Sequence, residues 1–241
     1  MSAATALDAA STPVASWPLR RTSALALGAE LIGVIATFVA FSTATGDAAT
    51  TCGWCESNAF DEAVRRLLVA SDPRAVATAS HALSLGAAPL LALGATTIPA
   101  ITSPRRWHAA QNAAVIVNAF LLTTGIADGV KKLTDRERPG FHHGRAALLE
   151  AAHAPLERNL SFFSGDTAWA FTFAAAAWAL STRRGYRLAR PVAVAGFIAA
   201  AAVAVLRVAA DMHWATDVMT GALVGTLVGL GLPALVHPRE A

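Results

Sequence analysis

The 241-residue chain is 55% hydrophobic and 15% charged, with a mean hydropathy of +0.48. That apolar excess excludes an ordinary soluble domain and makes a helical membrane protein the natural class. A net charge of +3 and a pI near 9.4 come without any basic run interleaved with aromatics, so no nucleic-acid partner is expected.

The first 19 residues are rich in Ala, Ser and Thr and lack a basic segment followed by an apolar core. No cleavable signal peptide is expected there, and residues 1–21 read as a cytoplasmic tail. Residues 22–46 carry Glu30 as their one charge, and stretches 75–104, 107–127, 167–182, 191–206 and 218–238 contain no Lys, Arg, Asp or Glu. The reading is an all-α, polytopic membrane helical bundle with six transmembrane helices over 22–238. A bilayer core asks for about 20 apolar helical residues. The two 16-residue stretches fall short of this, so their helices are expected to run on through the charged residues at their ends, Asp166 and Arg207.

The connection 43–74 holds Cys52-x-x-Cys55, for which a local disulfide is the preferred reading and free thiols the alternative. Phe60, Ala63, Val64, Leu67 and Leu68 then recur at helical spacing. Asn58 is the expected cap, and Asp61 and Glu62 each precede Arg65 or Arg66 by four residues, the order that favours pairing along a helix. This amphipathic helix either lies in the membrane interface beside the site or packs on the rim of the bundle, the latter preferred.

Further along, Gly125, Gly129, the alanines at 174–177 and 199–202 and the series Gly221, Gly225, Gly229 supply small faces for close helix approach. The glycine series reads as a homo-oligomer face or, more commonly, as packing within one bundle. Residues 129–163 form the long connection, expected to wrap over the site and carrying His142, His143 and His153.

Nine arginines (Arg20, Arg21, Arg105, Arg106, Arg183, Arg184, Arg187, Arg190 and Arg239) fall on the side of the termini, against Asp8 and Glu240. By the positive-inside rule that side is cytoplasmic, so the opposite face looks outward, to the periplasm or exterior of a bacterial-type inner membrane.

On that outward face lie Lys131-x6-Arg138-Pro139, Ser164-Gly165-Asp166 and Arg207-x5-His213-x3-Asp217. Guanidinium groups grip two oxygens of a phosphate in a fork, and a lysine adds a compact charge. Ser164 and Gly165 open a helix, whose free N–H groups suit an anion, although Ser164 also serves as a plain N-cap. His213 and Asp217 stand four apart, so a helix starting there would let the carboxylate orient the imidazole.

These three phrases resemble the type 2 phosphatidic acid phosphatase (PAP2) superfamily, whose members include lipid phosphate phosphatases, undecaprenyl diphosphate phosphatases and vanadium haloperoxidases. The resemblance covers roughly 75–235. It implies phosphate binding by Lys131, Arg138, Ser164, Gly165 and Arg207, attack by His213 with a phosphohistidine intermediate, and support from Asp217, with no metal and no cofactor. One position departs: the family's Pro-Ser-Gly-His reads Phe163-Ser164-Gly165-Asp166, which puts Asp166 where the family has the histidine that protonates the leaving oxygen.

An aspartate at a helix N-terminus among cations is expected to be mostly ionised and a poor acid. Three consequences stand side by side. Asp166 or a loop histidine acts as the acid, the leaving group needs no proton, or phosphate is bound without turnover. A diphosphate leaves as phosphate far more readily than an alcohol leaves as alkoxide, so a preference for lipid diphosphates is expected, with Asp166→His raising monoester hydrolysis. The leading reading is a membrane phosphatase acting on a lipid phosphate or isoprenoid diphosphate. A silent phospholipid-binding membrane protein and a lipid phosphotransferase are the alternatives.

Overall fold

The computed structural model describes residues 51–104, 106–145 and 157–236, together with Gly28, Ile32, Gly33, Ile35, Ala36, Val39 and Thr43. The tail at 1–21, most of the first expected span, and His153 lie outside the described residues. Seven helices are described beyond residue 51: α1 (Ala59–Leu68), α2 (Pro73–Ile101), α3 (His108–Thr134), the short α4 (Pro139–His142), α5 (Gly165–Arg183), α6 (Ala189–Ala209) and α7 (Ala215–Val236). No β-strand occurs among these residues; Trp54 and Arg136 share one parallel bridge.

Four of these helices, α2, α3, α6 and α7, are long and apolar enough to cross a membrane. Their outer faces carry Leu90, Ile98, Val194, Ile198, Leu223 and Leu227, all exposed, while alanine is the commonest residue of the interior. Large apolar groups outside and small ones inside are what a lipid solvent favours, since helix association there depends on close packing.

The 19-residue α5 occupies the centre, with Ala174, Ala175, Ala176 and Ala177 buried and with α3, α6 and α7 packed around it. The glycine series of α7 faces it: a Cβ at Gly221 would lie 2.6 Å from the Ser164 carbonyl oxygen, and one at Gly229 2.6 Å from that of Thr172. Within this chain the series is therefore a seam between α5 and α7. Thr172 adds polar contacts to the seam, its hydroxyl donating to the Gly225 carbonyl at 3.1 Å and meeting Thr123 Oγ1 at 2.9 Å.

Two local features set up the site. A single π turn, Ala82–Ala87, interrupts α2 directly after His81; such turns widen the helix and occur often at functional sites. The second is α1, whose cap is Asn58, accepting from the Asp61 N–H at 2.9 Å. This helix docks on the bundle by its polar side. Asp61 and Arg65 are buried, whereas Phe60 and Leu67 are 51% and 83% exposed. Instead of pairing along the helix, Arg65 grips Asp211 with two hydrogen bonds, Asp61 accepts from Arg136 and Thr216, and Glu62 accepts from Ser57. Buried partners on other elements win over exposed i,i+4 pairs, which contribute only a few tenths of a kcal/mol. The helix thus packs on the bundle through its polar side and leaves its apolar stripe uncovered. Cys52 and Cys55 form a disulfide in the turn that lays Trp54 over the Arg136 guanidinium, 3.9 Å from the ring centroid.

Candidate active site

The motif residues converge where α3, α5, α6 and α7 end or begin on one face of the bundle. Lys131 lies in the last turn of α3, and its Nζ approaches Gly165, 3.5 Å from where a Cβ would stand. The cation thus lies at the start of α5. Arg138 immediately precedes α4, buried, with Nε donating to the Glu157 carbonyl at 2.8 Å, Nη1 to the Met212 carbonyl at 3.2 Å, and Nη2 paired with the Glu157 carboxylate at 3.1 Å. Burial lowers its pKa to about 10, which leaves it charged at neutral pH. Arg207, in the last turn of α6, is buried against Asp166 at 3.3 Å and Ser80 at 3.2 Å, with its Nε lacking a hydrogen-bond partner.

Ser164 caps α5, accepting from the Thr167 N–H at 3.5 Å, so the capping role and an anion cradle coincide at one turn.

His213 is 1% exposed and sits in the turn between α6 and α7. Its Nδ1 lies 2.8 Å from the Ser161 carbonyl oxygen, which can only accept, so the proton resides on Nδ1 and Nε2 keeps its lone pair. Burial first, and then the charges of Arg138, Arg207 and Lys131, hold this ring well below the ordinary histidine range, with the Ser161 carbonyl opposing. A neutral imidazole beside three cations has the chemistry to attack an anion that they hold.

Asp217 acts one step removed from that ring. Its Oδ2 is 3.7 Å from His213 Nδ1, whereas it accepts from Ser161 Oγ at 2.6 Å and from the Trp214 N–H at 2.8 Å. The carboxylate therefore fixes Ser161 and the start of α7, and Ser161 in turn orients the ring.

Asp166, in the first turn of α5, faces α2 as well as Arg207. Ser84 Oγ donates to its Oδ1 at 2.6 Å, and His81 Nδ1 lies 2.9 Å from the same oxygen. The other nitrogen of that ring, Nε2, is 3.4 Å from Arg207 Nη1. Sequence reasoning passed over His81, Ser84, Arg136 and Glu157. The i, i+3 spacing of His81 and Ser84 in an otherwise apolar span was the one available signal.

At the rim, Glu62, His142 and His143 bring ligand atoms within 4.8 Å of one another. His143 contacts Glu62 at 3.1 Å and His142 contacts Glu137 at 3.3 Å, so hydrogen bonding accounts for the group.

Among the described residues, helix ends of a bundle with membrane-length apolar helices gather Lys131, Arg138 and Arg207 around a buried histidine, an arrangement suited to an anion such as phosphate. The sequence model of the PAP2 superfamily matches residues 112–241, and the chain belongs to that superfamily. No curated protein matches the sequence. Among solved structures the fold is similar to the first transmembrane PAP2-type phosphatidylglycerolphosphate phosphatase from Bacillus subtilis, with a TM-score of 0.54 and 18% sequence identity, covering 86% of this chain and 95% of that one.

Proposed function

We propose that this protein is a lipid phosphatase that removes the terminal phosphate from a lipid phosphate or an isoprenoid diphosphate, such as undecaprenyl diphosphate, through a phosphohistidine on His213. The observation that carries the reading is the tautomer of His213. With Nδ1–H committed to Ser161, the Nε2 lone pair is available to attack phosphorus while Lys131, Arg138 and Arg207 hold the phosphoryl oxygens. Ser164 and Gly165 add helix N-terminal N–H groups to the cradle, Asp217 and Ser161 position the nucleophile, and Asp166 anchors Arg207. None of these roles calls for a metal or cofactor.

A lipid substrate fits the surroundings of the site. The exposed apolar stripe of α1 lies beside it, and the neighbouring helices present large apolar groups outward. A membrane-embedded substrate would enter along those surfaces, with α1 resting in the interface. In this reading the 22–46 segment and α5 complete a six-span bundle, and the arginine-rich side keeps the site on the outer face.

The test is phosphate release by purified protein in detergent from phosphatidic acid, phosphatidylglycerol phosphate, sphingosine phosphate and isoprenoid diphosphates side by side. Turnover on at least one, abolished in His213→Ala, is the expected result. Binding of these lipids with no release from any of them would show a silent phospholipid-binding protein, and phosphate passed to an alcohol acceptor would show a transferase.

A further inference from the structure

We propose that His81, carried on α2 and held by Asp166, is the general acid and base of this site, taking over the role for which an aspartate at position 166 is poorly suited. The proposal rests on the phosphatase reading.

The geometry is that of a carboxylate-oriented imidazole. His81 Nδ1 lies 2.9 Å from Asp166 Oδ1, at ion-pair distance, and because an ionised carboxylate only accepts, the proposal places a proton on that nitrogen. Nε2 is then the working end; it accepts from Arg207 Nη1 at 3.4 Å, a bond that a substrate oxygen gripped by Arg207 would replace. Because Arg207 is one of the phosphate-binding cations, whatever oxygen Arg207 grips also lies near His81 Nε2.

Ser84, one turn further along α2, donates to the same Asp166 oxygen at 2.6 Å, so Asp166 is pinned from α2 by Ser84 and from α6 by Arg207. The π turn that begins at Ala82 sits between His81 and the remainder of the helix. Unlike His213, the His81 side chain is 38% exposed, so its ring is reachable from outside the bundle. Burial and a backbone carbonyl suit His213 to attack; exposure and a carboxylate suit His81 to exchange protons.

The step balances as follows. In the loaded site His81 is an imidazolium, with Nδ1–H to Asp166 and Nε2–H to the bridging oxygen of the substrate. The His213 Nε2 lone pair forms the N–P bond, the P–O bond to the lipid breaks, and the Nε2 proton of His81 passes to the departing oxygen, releasing a neutral alcohol. Neutral His81 then takes a proton from water as that water's oxygen attacks phosphorus. The N–P bond breaks, inorganic phosphate leaves, and both histidines return to their starting states.

The experiment compares an alkyl phosphate, whose alkoxide needs a proton, with p-nitrophenyl phosphate, whose phenolate leaves without one at neutral pH. His81→Gln should lower kcat/KM on the alkyl ester by about 100-fold or more, the usual contribution of general acid catalysis, and on the aryl ester by less than about 10-fold. Asp166→Asn should lower both rates, because Asp166 also anchors Arg207, and the alkyl rate further; His81→Asn carries the test if His81→Gln fails to fold. Inhibition by orthovanadate, retained in both variants, reports an intact phosphate site.

Equal losses on the two esters would make His81 a structural residue, and a selective loss in Asp166→Asn with none in His81→Gln would make Asp166 the acid. Either result overturns the proposal and leaves the phosphatase reading standing. Absence of turnover by the wild type on both esters and on the lipid panel would instead remove the phosphatase reading, and the proposal with it.

Discussion

Arg136 and Asp217 form an ion pair in which neither side chain has any exposed surface. The same guanidinium reaches Asp61 at 2.7 Å and lies over the Trp54 ring, so one residue ties the loop that carries Trp54, α1 and the start of α7 together. Removing it would leave two buried carboxylates without their countercharge. Arg136→Met is expected to cost about 3–5 kcal/mol of stability, as breaking a buried pair from one side usually does, while Asp61→Asn costs less because Thr216 still meets the amide. Thermal unfolding of the purified variants in detergent checks the ranking; equal melting temperatures for wild type and Arg136→Met would contradict it.

The electrostatics of His213 predict how it titrates. Its pKa is lowered, so the ring gives up its proton at a lower pH than an ordinary histidine and stays neutral as the pH falls through about 6.5. Nitrogen NMR of histidine-labelled protein should show His213 still in its Nδ1–H neutral form at pH 6. Arg138→Gln, which removes the leading cationic contribution, should move its midpoint upward. A wild-type midpoint at or above 6.5 would mean the cations do not act on this ring as the geometry implies.

Asp166→His illustrates how the surroundings of a residue change what its substitution should do. From sequence alone the change restores a family histidine and is expected to raise monoester hydrolysis. In the structure it takes a carboxylate away from Ser84, His81 and Arg207 together and sets an imidazole against a guanidinium. The expected outcome is now a loss of about 10-fold or more in phosphate release, a modest general-acid effect. Exchanging the pair, His81→Asp with Asp166→His, puts the imidazole on α5 and its carboxylate on α2 and should recover part of that loss. An exchanged variant no better than Asp166→His would show that the two positions are not equivalent.

The membrane class, α1 with its Asn58 cap, and the glycine seam were legible in the sequence because each is a local pattern of periodicity or spacing. So were Lys131, Arg138, Arg207 and His213 as a group, since the order and spacing of the three phrases carry the resemblance. His81 and Arg136 were not. One lies in an apolar span 85 residues before Asp166 and the other is one basic residue among several in a charged loop, and nothing local marks them. Their roles appear only when tertiary packing brings α2 against α5 and the loop against α7. The same holds for Asp217: its spacing to His213 suggested a direct carboxylate–imidazole contact, but Ser161, from the preceding loop, occupies the position between them.

The α5–α7 seam makes a final prediction that joins packing to chemistry. A Cβ at Gly225 would meet the Ala168 carbonyl oxygen well inside van der Waals distance, and that oxygen belongs to the backbone of α5, which has no side-chain rotation with which to yield. The helices must separate instead, at a cost of about 1–3 kcal/mol for overpacking of this size. The consequence at Gly221 is different, because its neighbour is the carbonyl of Ser164, the cap of α5 and part of the proposed phosphate cradle. Gly221→Ala is therefore expected to lower kcat/KM by more than its effect on melting would suggest, and Gly225→Ala to lower stability first. Gly231→Ala, with no atom within 4 Å of its Cβ, serves as the neutral control. Melting curves and phosphate release measured on the three variants separate the effects; a Gly221→Ala protein with full activity would show that the cradle does not depend on how closely α7 approaches it.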